Sequence, residues 1–346
     1  MISLLSDTET RPTGAMREAM ARAPVGDEQR NLDPTVNELK TRVAELLGKA
    51  DALWLPGGTM CNLIAIKVHT RPADALISDH MAHILRAEGS GSALASGVMP
   101  EAIVTERGIF DPDELRAAAG RLLAVPPPYG TRPTLLCVEQ THNFGGGTVW
   151  PLAALQAVQE TADELQLKVH MDGARLMNAA VASGVAAREF AACADSVWID
   201  FTKGLGAPIG AVLAGSAEFI AEARRYKQLF GGAMRQAGIA AAGCLYALDE
   251  HVERLAEDHA NARQLAAALD AMPGVTLRGT PETNIVFFAV DGADHPTLIA
   301  NLERDGVLLA DTGSEIRAVT HLDVDRAGVK QAAAAIENCV RAIRAG

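Results

Sequence analysis

The sequence contains no apolar run long enough to span a bilayer, no excess of basic charge, no nucleotide-binding glycine signature and no closely spaced cysteine pair. The apolar stretch from Ile209 to Ala214 is too short for a membrane span and is broken by glycine. With 31 basic against 43 acidic residues the formal charge is -12, which argues against wrapping nucleic acid or lying on anionic lipid. Neither GxxxxGK[ST] nor GxGxxG occurs. The five cysteines (Cys61, Cys137, Cys193, Cys244 and Cys339) are odd in number and far apart. They are expected to be buried free thiols in a reducing compartment. The first twelve residues lack the basic start of a signal peptide, and a cytoplasmic protein is expected.

What is present is alternation. Asp33-Pro34 opens a helical pattern through Leu47 that Gly48 stops. Short apolar runs follow at Ala52–Leu55, Ala75–Ser78, Ile103–Val104, Thr134–Val138, Leu167–Met171, Ser196–Asp200 and Ile209–Ala214, with helical patterns between most of them. Residues 126–133, PPPYGTRP, read as a loop. The stretch from Ala240 through Met272 reads as one long helix. Beyond it the texture changes to short strands at Val275–Leu277, Ile285–Val290, Val307–Leu308 and Ile316–Val319, with two helices. The expectation is an α/β protein. A large domain over 1–250 carries a mostly parallel seven-stranded sheet covered by helices on both faces, and a small α+β domain over 251–346 follows. The first 15 or so residues (about one turn-rich segment) are expected against the small domain.

In such a sheet chemistry gathers beyond the carboxyl ends of the strands, and four places there carry polar residues. Gly57-Gly58-Thr59 stands between a strand and a helix, either as an anion cradle or as an ordinary turn. In His170-Met171-Asp172-Gly173-Ala174-Arg175 a carboxylate ends a buried strand. It needs a cation: a protonated ring nitrogen of a cofactor, or Arg175 as a plain ion-pair partner. Lys203, after Asp200-Phe201-Thr202, is either a desolvated amine usable as a nucleophile or a surface lysine on a turn. Asp79-His80-Met81-Ala82-His83 with Glu88 lacks HExxH spacing, so a ring-stacking or base histidine with a supporting carboxylate is preferred to a metal site. Together these are the parts that pyridoxal phosphate requires of a protein.

The chain also resembles the low-specificity threonine aldolases, within the aspartate-aminotransferase-like (fold type I) pyridoxal-phosphate enzymes. The resemblance runs through Ser6-Asp7-Thr8, Leu55-Pro56-Gly57-Gly58-Thr59-Met60, Glu139-Gln140-Thr141-His142-Asn143, His170 to Arg175, Thr202 to Pro208, Met234-Arg235-Gln236 and Ile316 to His321. It implies Lys203 as the Schiff-base lysine and Asp172 facing the pyridinium nitrogen. It also implies Gly58 and Thr59 on the phosphate with Arg235 from a neighbouring subunit, His83 stacked on the ring and His142 near the substrate hydroxyl. Ser6, Arg175 and Arg317 would hold the amino-acid carboxylate. The implied reaction is retro-aldol cleavage of a β-hydroxy-α-amino acid to glycine and an aldehyde, in a homotetramer of two close dimers. A β-eliminating lyase or an aminotransferase is the alternative on the same fold, and a non-catalytic scaffold the least favoured. For the general base, His83, His142 and a water held by Glu88 stay open.

Two departures stand out. The family's tyrosine before the Asp-Pro-Thr run is missing from Asp27-Glu28-Gln29-Arg30-Asn31-Leu32-Asp33, and Arg30 occupies that region. A charged fork there is expected to favour an anionic distal group such as that of β-hydroxyaspartate. Gln140 replaces an asparagine and is expected to add a methylene near the ring.

Overall fold

The computed structural model describes residues 1–345. Seven strands make the large sheet: β1 (Asp51–Leu55), β2 (Ala75–Asp79), β3 (Met99–Ile103), β4 (Pro133–Glu139), β5 (Lys168–Asp172), β6 (Ser196–Asp200) and β7 (Ala211–Gly215). Their spatial order is β1-β7-β6-β5-β4-β2-β3. Neighbours from β6 through β3 pair in parallel, whereas β7 runs antiparallel to both β6 and β1. All strands except β7 therefore present their carboxyl ends at one edge.

The near-continuous apolar strands follow from burial on both faces. Ala52 and Trp54 join the core that holds the helix Pro34–Leu47, while Leu53 and Leu55 join another with residues of the helices Gly58–His69 and Ala217–Leu229. In β4, Leu136 and Val138 face the first core, and Leu135 and Cys137 face the opposite side. A strand's two-residue period sends neighbours to opposite faces, so each face finds its own helical cover. Among the described residues no helix is long and apolar enough to cross a membrane.

The smaller sheet is antiparallel, ordered Ala310–Asp311, Ile316–Val319, Ile285–Val290 and Val275–Leu277. The chain's first strand, Ile2–Ser3, pairs in parallel with Val307–Leu308, and Leu4 is buried in the core of Val286, Phe288 and Ile316. The expected single helix over 240–272 is two helices, Gly238–Glu250 and Leu255–Asp270. The break places His251 with its Nδ1 2.7 Å from the Leu205 carbonyl, a long-range contact that helical periodicity does not report. The third strand also begins earlier than expected, at Met99, and Val104 lies outside it and exposed.

Asp33 joins three segments. Its carboxylate accepts from Val36 N (3.0 Å), capping the helix that Pro34 opens, and from Gly26 N (3.1 Å) and Gly238 N (2.9 Å). The side chain is fully buried. Asp33→Ala removes a cap and strands buried amides, so it should cost about 3 kcal/mol, and Asp33→Asn should recover only part of it, because its one oxygen can serve one side while its NH2 faces the remaining N–H donors. Urea unfolding of the two variants checks this.

Candidate active site

Four parallel strands end in acids at one edge: Asp79, Glu139, Asp172 and Asp200, all buried. Each must find donors, because an unpaired buried carboxylate is costly. Asp200 accepts from Thr202 N (2.9 Å) and Oγ1 (2.8 Å) through Oδ1, and its Oδ2 lies 2.9 Å from Lys203 Nζ. Glu139 accepts from His83 N and Asn143 N, both at 2.8 Å. Asp79 accepts from Met81 N and Thr105 Oγ1, again at 2.8 Å. Burial pushes Asp79 upward, but His142 and Thr105 outweigh it and hold the carboxyl at about 2.

Asp172 is the exception. It accepts from Asn62 Nδ2 (2.8 Å) and Ala174 N (3.1 Å), yet burial and the charge of Glu139 drive it up to about 6, against the pull of His83 and Lys203. Glu88, with its side chain 2% exposed, adds to that negative field. The site holds more negative charge than it neutralises, and a cationic ring nitrogen facing Asp172 would relieve it.

Lys203 follows β6 on a turn held by the carbonyl of Lys203 itself, which accepts from Thr10 Oγ1 (2.8 Å) and Gly206 N (2.9 Å). Its ammonium sits 5.6 Å from the centre of the Trp198 ring. The same indole packs so closely on Gly58 that a Cβ there would lie 2.0 Å from a ring carbon, so this position requires glycine. Gly58 and Thr59 open the helix Gly58–His69, whose first turn has no side-chain cap. Its leading amides remain free for an anion.

Arg175 does form an ion pair, but with Asp7 rather than Asp172. Nε and Nη2 each donate at 2.7 Å to the two Asp7 oxygens, and Asn284 Nδ2 adds a third donor at 3.1 Å. Burial raises the Asp7 carboxyl, and Arg175 overrides it to leave the value at about 2. Arg317 is different. Nη1 donates to Asn143 Oδ1 (3.0 Å) and Nη2 to the Leu5 carbonyl (3.1 Å), while Nε is buried without a partner. No carboxylate pairs with it among the described residues. Burial and the charge of Arg175 lower its pKa. Ser6, next to Leu5, accepts from Thr8 N and Thr8 Oγ1.

His83 Nδ1 lies 2.9 Å from Glu88 Oε1, which fixes the proton on Nδ1 and leaves Nε2 unspent. Burial lowers its pKa, but the bond to Glu88 and the charges of Asp172 and Glu139 raise it more. His142 is enclosed. Its Nδ1 accepts from Gly145 N (3.0 Å), its Nε2 faces Asp79 Oδ1 at 3.2 Å, and Gly108 packs against the ring. Ligand atoms of His83, Glu88 and Asp172 lie within 4.8 Å of one another. They are joined by direct hydrogen bonds among themselves and Asn62.

The structure thus brings together Lys203, Asp172, His83 and Glu88 by contact or field, with Arg175 and Arg317 linked through the N-terminal segment. It does not bring Arg30 or Arg235 to that cluster within one chain. Both are exposed, and Arg235 Nη1 pairs with Asp27 at 3.0 Å. Thr59 is exposed at the helix start. The Gln140 amide clasps the backbone of Trp150, receiving its N–H at 3.0 Å and donating to its carbonyl at 3.4 Å. Its extra methylene therefore serves the loop 140–150. Sequence reasoning passed over Asn62, Trp198, Glu139 and Asp7. Glu139 carries the same signal as Asp172, an acid ending an apolar strand, and Asn62 is a lone amide in the apolar run Cys61–Ile66.

This donor set fits pyridoxal phosphate: an amine, an under-neutralised carboxylate, open helix amides and an unpaired guanidinium. Comparison with known proteins agrees. Residues 3–293 match the family described as beta-eliminating lyase. The chain is 38% identical over 340 residues to low-specificity L-threonine aldolase 1 of Arabidopsis thaliana, covering 95% of this chain and 93% of that protein. It is also 38% identical to the low specificity L-threonine aldolase of Escherichia coli K12, covering 96% and 98%. The solved threonine aldolase of Leishmania major superposes with a TM-score of 0.83 at 22% identity, over 99% of this chain and all of that one, 100%. That last likeness shows the fold.

If the Asp7–Arg175 pair is a structural tie, Arg175→Met alone should destabilise the cofactor-free protein by about 3–5 kcal/mol by stranding a buried charge. Asp7→Asn together with Arg175→Met should recover much of that loss. The pair's stabilisation is present above about pH 4 and is lost as pH falls toward the depressed Asp7 value of about 2. Thermal unfolding of the wild type, Asp7→Asn, Arg175→Met and the double variant across pH measures both effects.

Proposed function

The chain belongs to the beta-eliminating lyase family and to its threonine aldolases, and from that premise we propose that the cluster around Lys203 carries out a pyridoxal-phosphate-dependent retro-aldol cleavage. The substrate is a β-hydroxy-α-amino acid such as threonine, and the products are glycine and an aldehyde. The observation behind the assignment of residues is that Lys203 and Asp172 share one buried edge of the sheet, close enough for the ammonium to lower the Asp172 pKa.

When bound, pyridoxal phosphate supplies a carbonyl for the substrate amine and a conjugated ring that takes up the electron pair freed when the Cα–Cβ bond breaks. Lys203 would hold it through Nζ, an amine also placed to move a proton at the substrate Cα. Asp172 would face its ring nitrogen and favour the protonated form there. Gly58 and Thr59 offer amides to the phosphate, with Arg235 reaching it from a second copy of the chain in a homo-oligomer, a tetramer of two close dimers. Arg317, with Ser6 beside it, would bind the substrate carboxylate and so fix the orientation of the Cα–Cβ bond. Arg175 contributes through Asp7, which fixes the segment on which Ser6 lies.

Of the two histidines, His83 is the better base. Its Nε2 is free and its side chain 32% exposed, whereas His142 Nδ1 already accepts from Gly145 N, its Nε2 is enclosed 3.2 Å from Asp79 Oδ1 without hydrogen-bond geometry, and that side chain is 1% exposed. His83 therefore takes the proton of the β-hydroxyl at Nε2, and Glu88 stabilises the cation that forms. His142 supports the site by holding Asp79 and the Gly145 turn.

Lys203→Ala should abolish the visible absorption of the protein mixed with pyridoxal phosphate and should stop glycine formation. Product analysis over threonine, allo-threonine, phenylserine and β-hydroxyaspartate reads the distal preference to which Arg30 would contribute. A keto acid with ammonia in place of glycine would assign β-elimination instead.

A base must be neutral to act, so kcat/KM should fall as pH drops through the raised His83 pKa. Glu88→Gln removes the carboxylate that raises it, and the acid limb of the profile should move to lower pH. An unmoved limb would transfer the base role away from His83.

A further inference from the structure

Asn62 lies on the helix Gly58–His69, fully buried, and all four of its hydrogen-bonding positions are used. Trp198 Nε1 stands 2.8 Å from one amide atom of Asn62. An indole nitrogen only donates, so that atom is the oxygen, and the orientation of the amide is settled. His170 Nε2 lies 3.0 Å from the same oxygen and must therefore be an N–H. Burial holds His170 far below the ordinary histidine range, at about 3, so the ring is neutral and its Nδ1 is an acceptor.

The rest of the chain of bonds follows. Ser196 Oγ, 2.8 Å from His170 Nδ1, donates its hydrogen there. It then accepts from His69 Nε2 at 2.8 Å, and burial keeps His69 neutral as well. His170 and Ser196 are register partners on β5 and β6, and His69 is on the same helix as Asn62. The circuit thus leaves the helix, crosses two strands and returns. Its output is the Asn62 Nδ2 group, whose two hydrogens go to Glu88 Oε1 (2.7 Å) and Asp172 Oδ2 (2.8 Å).

We propose that Asn62 is the positioning residue that holds Asp172 and Glu88 in their carboxylate forms toward the cofactor ring, its amide oriented by Trp198, His170, Ser196 and His69. A proton on either accepting oxygen would meet an N–H head-on, so the amide opposes protonation of both acids. It acts where the crowded negative field favours a proton, and a wrongly protonated Asp172 has nothing to offer a ring N–H. This rests on the pyridoxal-phosphate reading of the site, and its test separates the two.

In cofactor-free protein with 15N-labelled histidine, His170 and His69 should both be Nε2–H tautomers across pH 5–8. Ser196→Ala should leave His170 an Nε2–H tautomer, because the Asn62 oxygen still requires that proton, but should turn His69, which loses its acceptor, into a tautomer mixture, and Ser196→Thr should restore the single His69 form. A wild-type His170 protonated on Nδ1 overturns the circuit. With pyridoxal phosphate present, Asn62→Ala should weaken cofactor affinity by about tenfold or more and shift the pH dependence of the visible band. Ser196→Ala should shift that band the same way by less, and it serves if Asn62→Ala fails to fold. Wild-type affinity and an unmoved band in both variants overturn the proposal alone, whereas a wild-type protein that binds no pyridoxal phosphate removes the reading of the site with it.

Discussion

Crowding of carboxylates at one edge of a parallel sheet is the constraint on which the site depends. Asp79, Glu139, Asp172 and Asp200 arrive there because four strands run the same way and each ends in an acid. Glu88 joins them from the segment after the short helix His83–Arg86. Burying so much like charge is unfavourable, and the surrounding sequence is largely a set of answers to it. Asp200 takes Lys203, Asp79 takes His142 and a threonine hydroxyl, and Glu139 takes two backbone amides. Asp172 is left with a raised pKa, the mark of positive charge in short supply around it. A protonated pyridine nitrogen has the charge and the direction to meet it.

Much of this was legible in the order of residues, and the reason is local. Strand, turn and helix start are short-range patterns, so the run from Leu55 through Thr59 and the one from Trp198 through Lys203 announce their own shapes. The two faces of the sheet were likewise implied by strands apolar at every position. What stayed hidden depends on distant partners. Arg175 is three residues from Asp172, and proximity along the chain suggested that pair. The fold instead delivers Asp7, 168 residues away along the chain, to both guanidinium donors. Helical periodicity runs unbroken through His251, yet the Leu205 carbonyl takes that imidazole and the helix ends. Gln140 looked like an intrusion into the site until Trp150 claimed both ends of its amide.

The first ten residues connect these pieces. Ile2 and Ser3 extend the small domain, and the Leu4 carbonyl accepts from Val319 N at 2.8 Å. The Leu5 carbonyl receives Arg317, Asp7 receives Arg175, and Thr10 donates to the carbonyl of Lys203. A segment with little regular structure thus enters the core of the smaller sheet through Leu4 and bonds to Arg317, Arg175 and the turn that carries Lys203. Its ordering follows from those long-range bonds and not from any helical or strand propensity of its own.

The two arginines, one buried and one half-buried, show why the site should select a single carboxylate. They are near enough for Arg175 to depress the Arg317 pKa, yet only Arg175 has an acid of its own. Had both been neutralised, nothing would draw an anion to this position. Had neither been, the repulsion and desolvation of two bare guanidinium groups would oppose folding. With Asp7 committed to one, the other is left with an unpartnered Nε and one uncompensated charge. A monoanion with planar oxygens matches that remainder, and an α-amino acid brings one. Arg317 also stands on the strand Ile316–Val319 of the four-stranded sheet, while Lys203 follows β6 of the seven-stranded one. The unpaired guanidinium and the ammonium therefore reach the site from two different sheets, and their separation is set by how those sheets pack together.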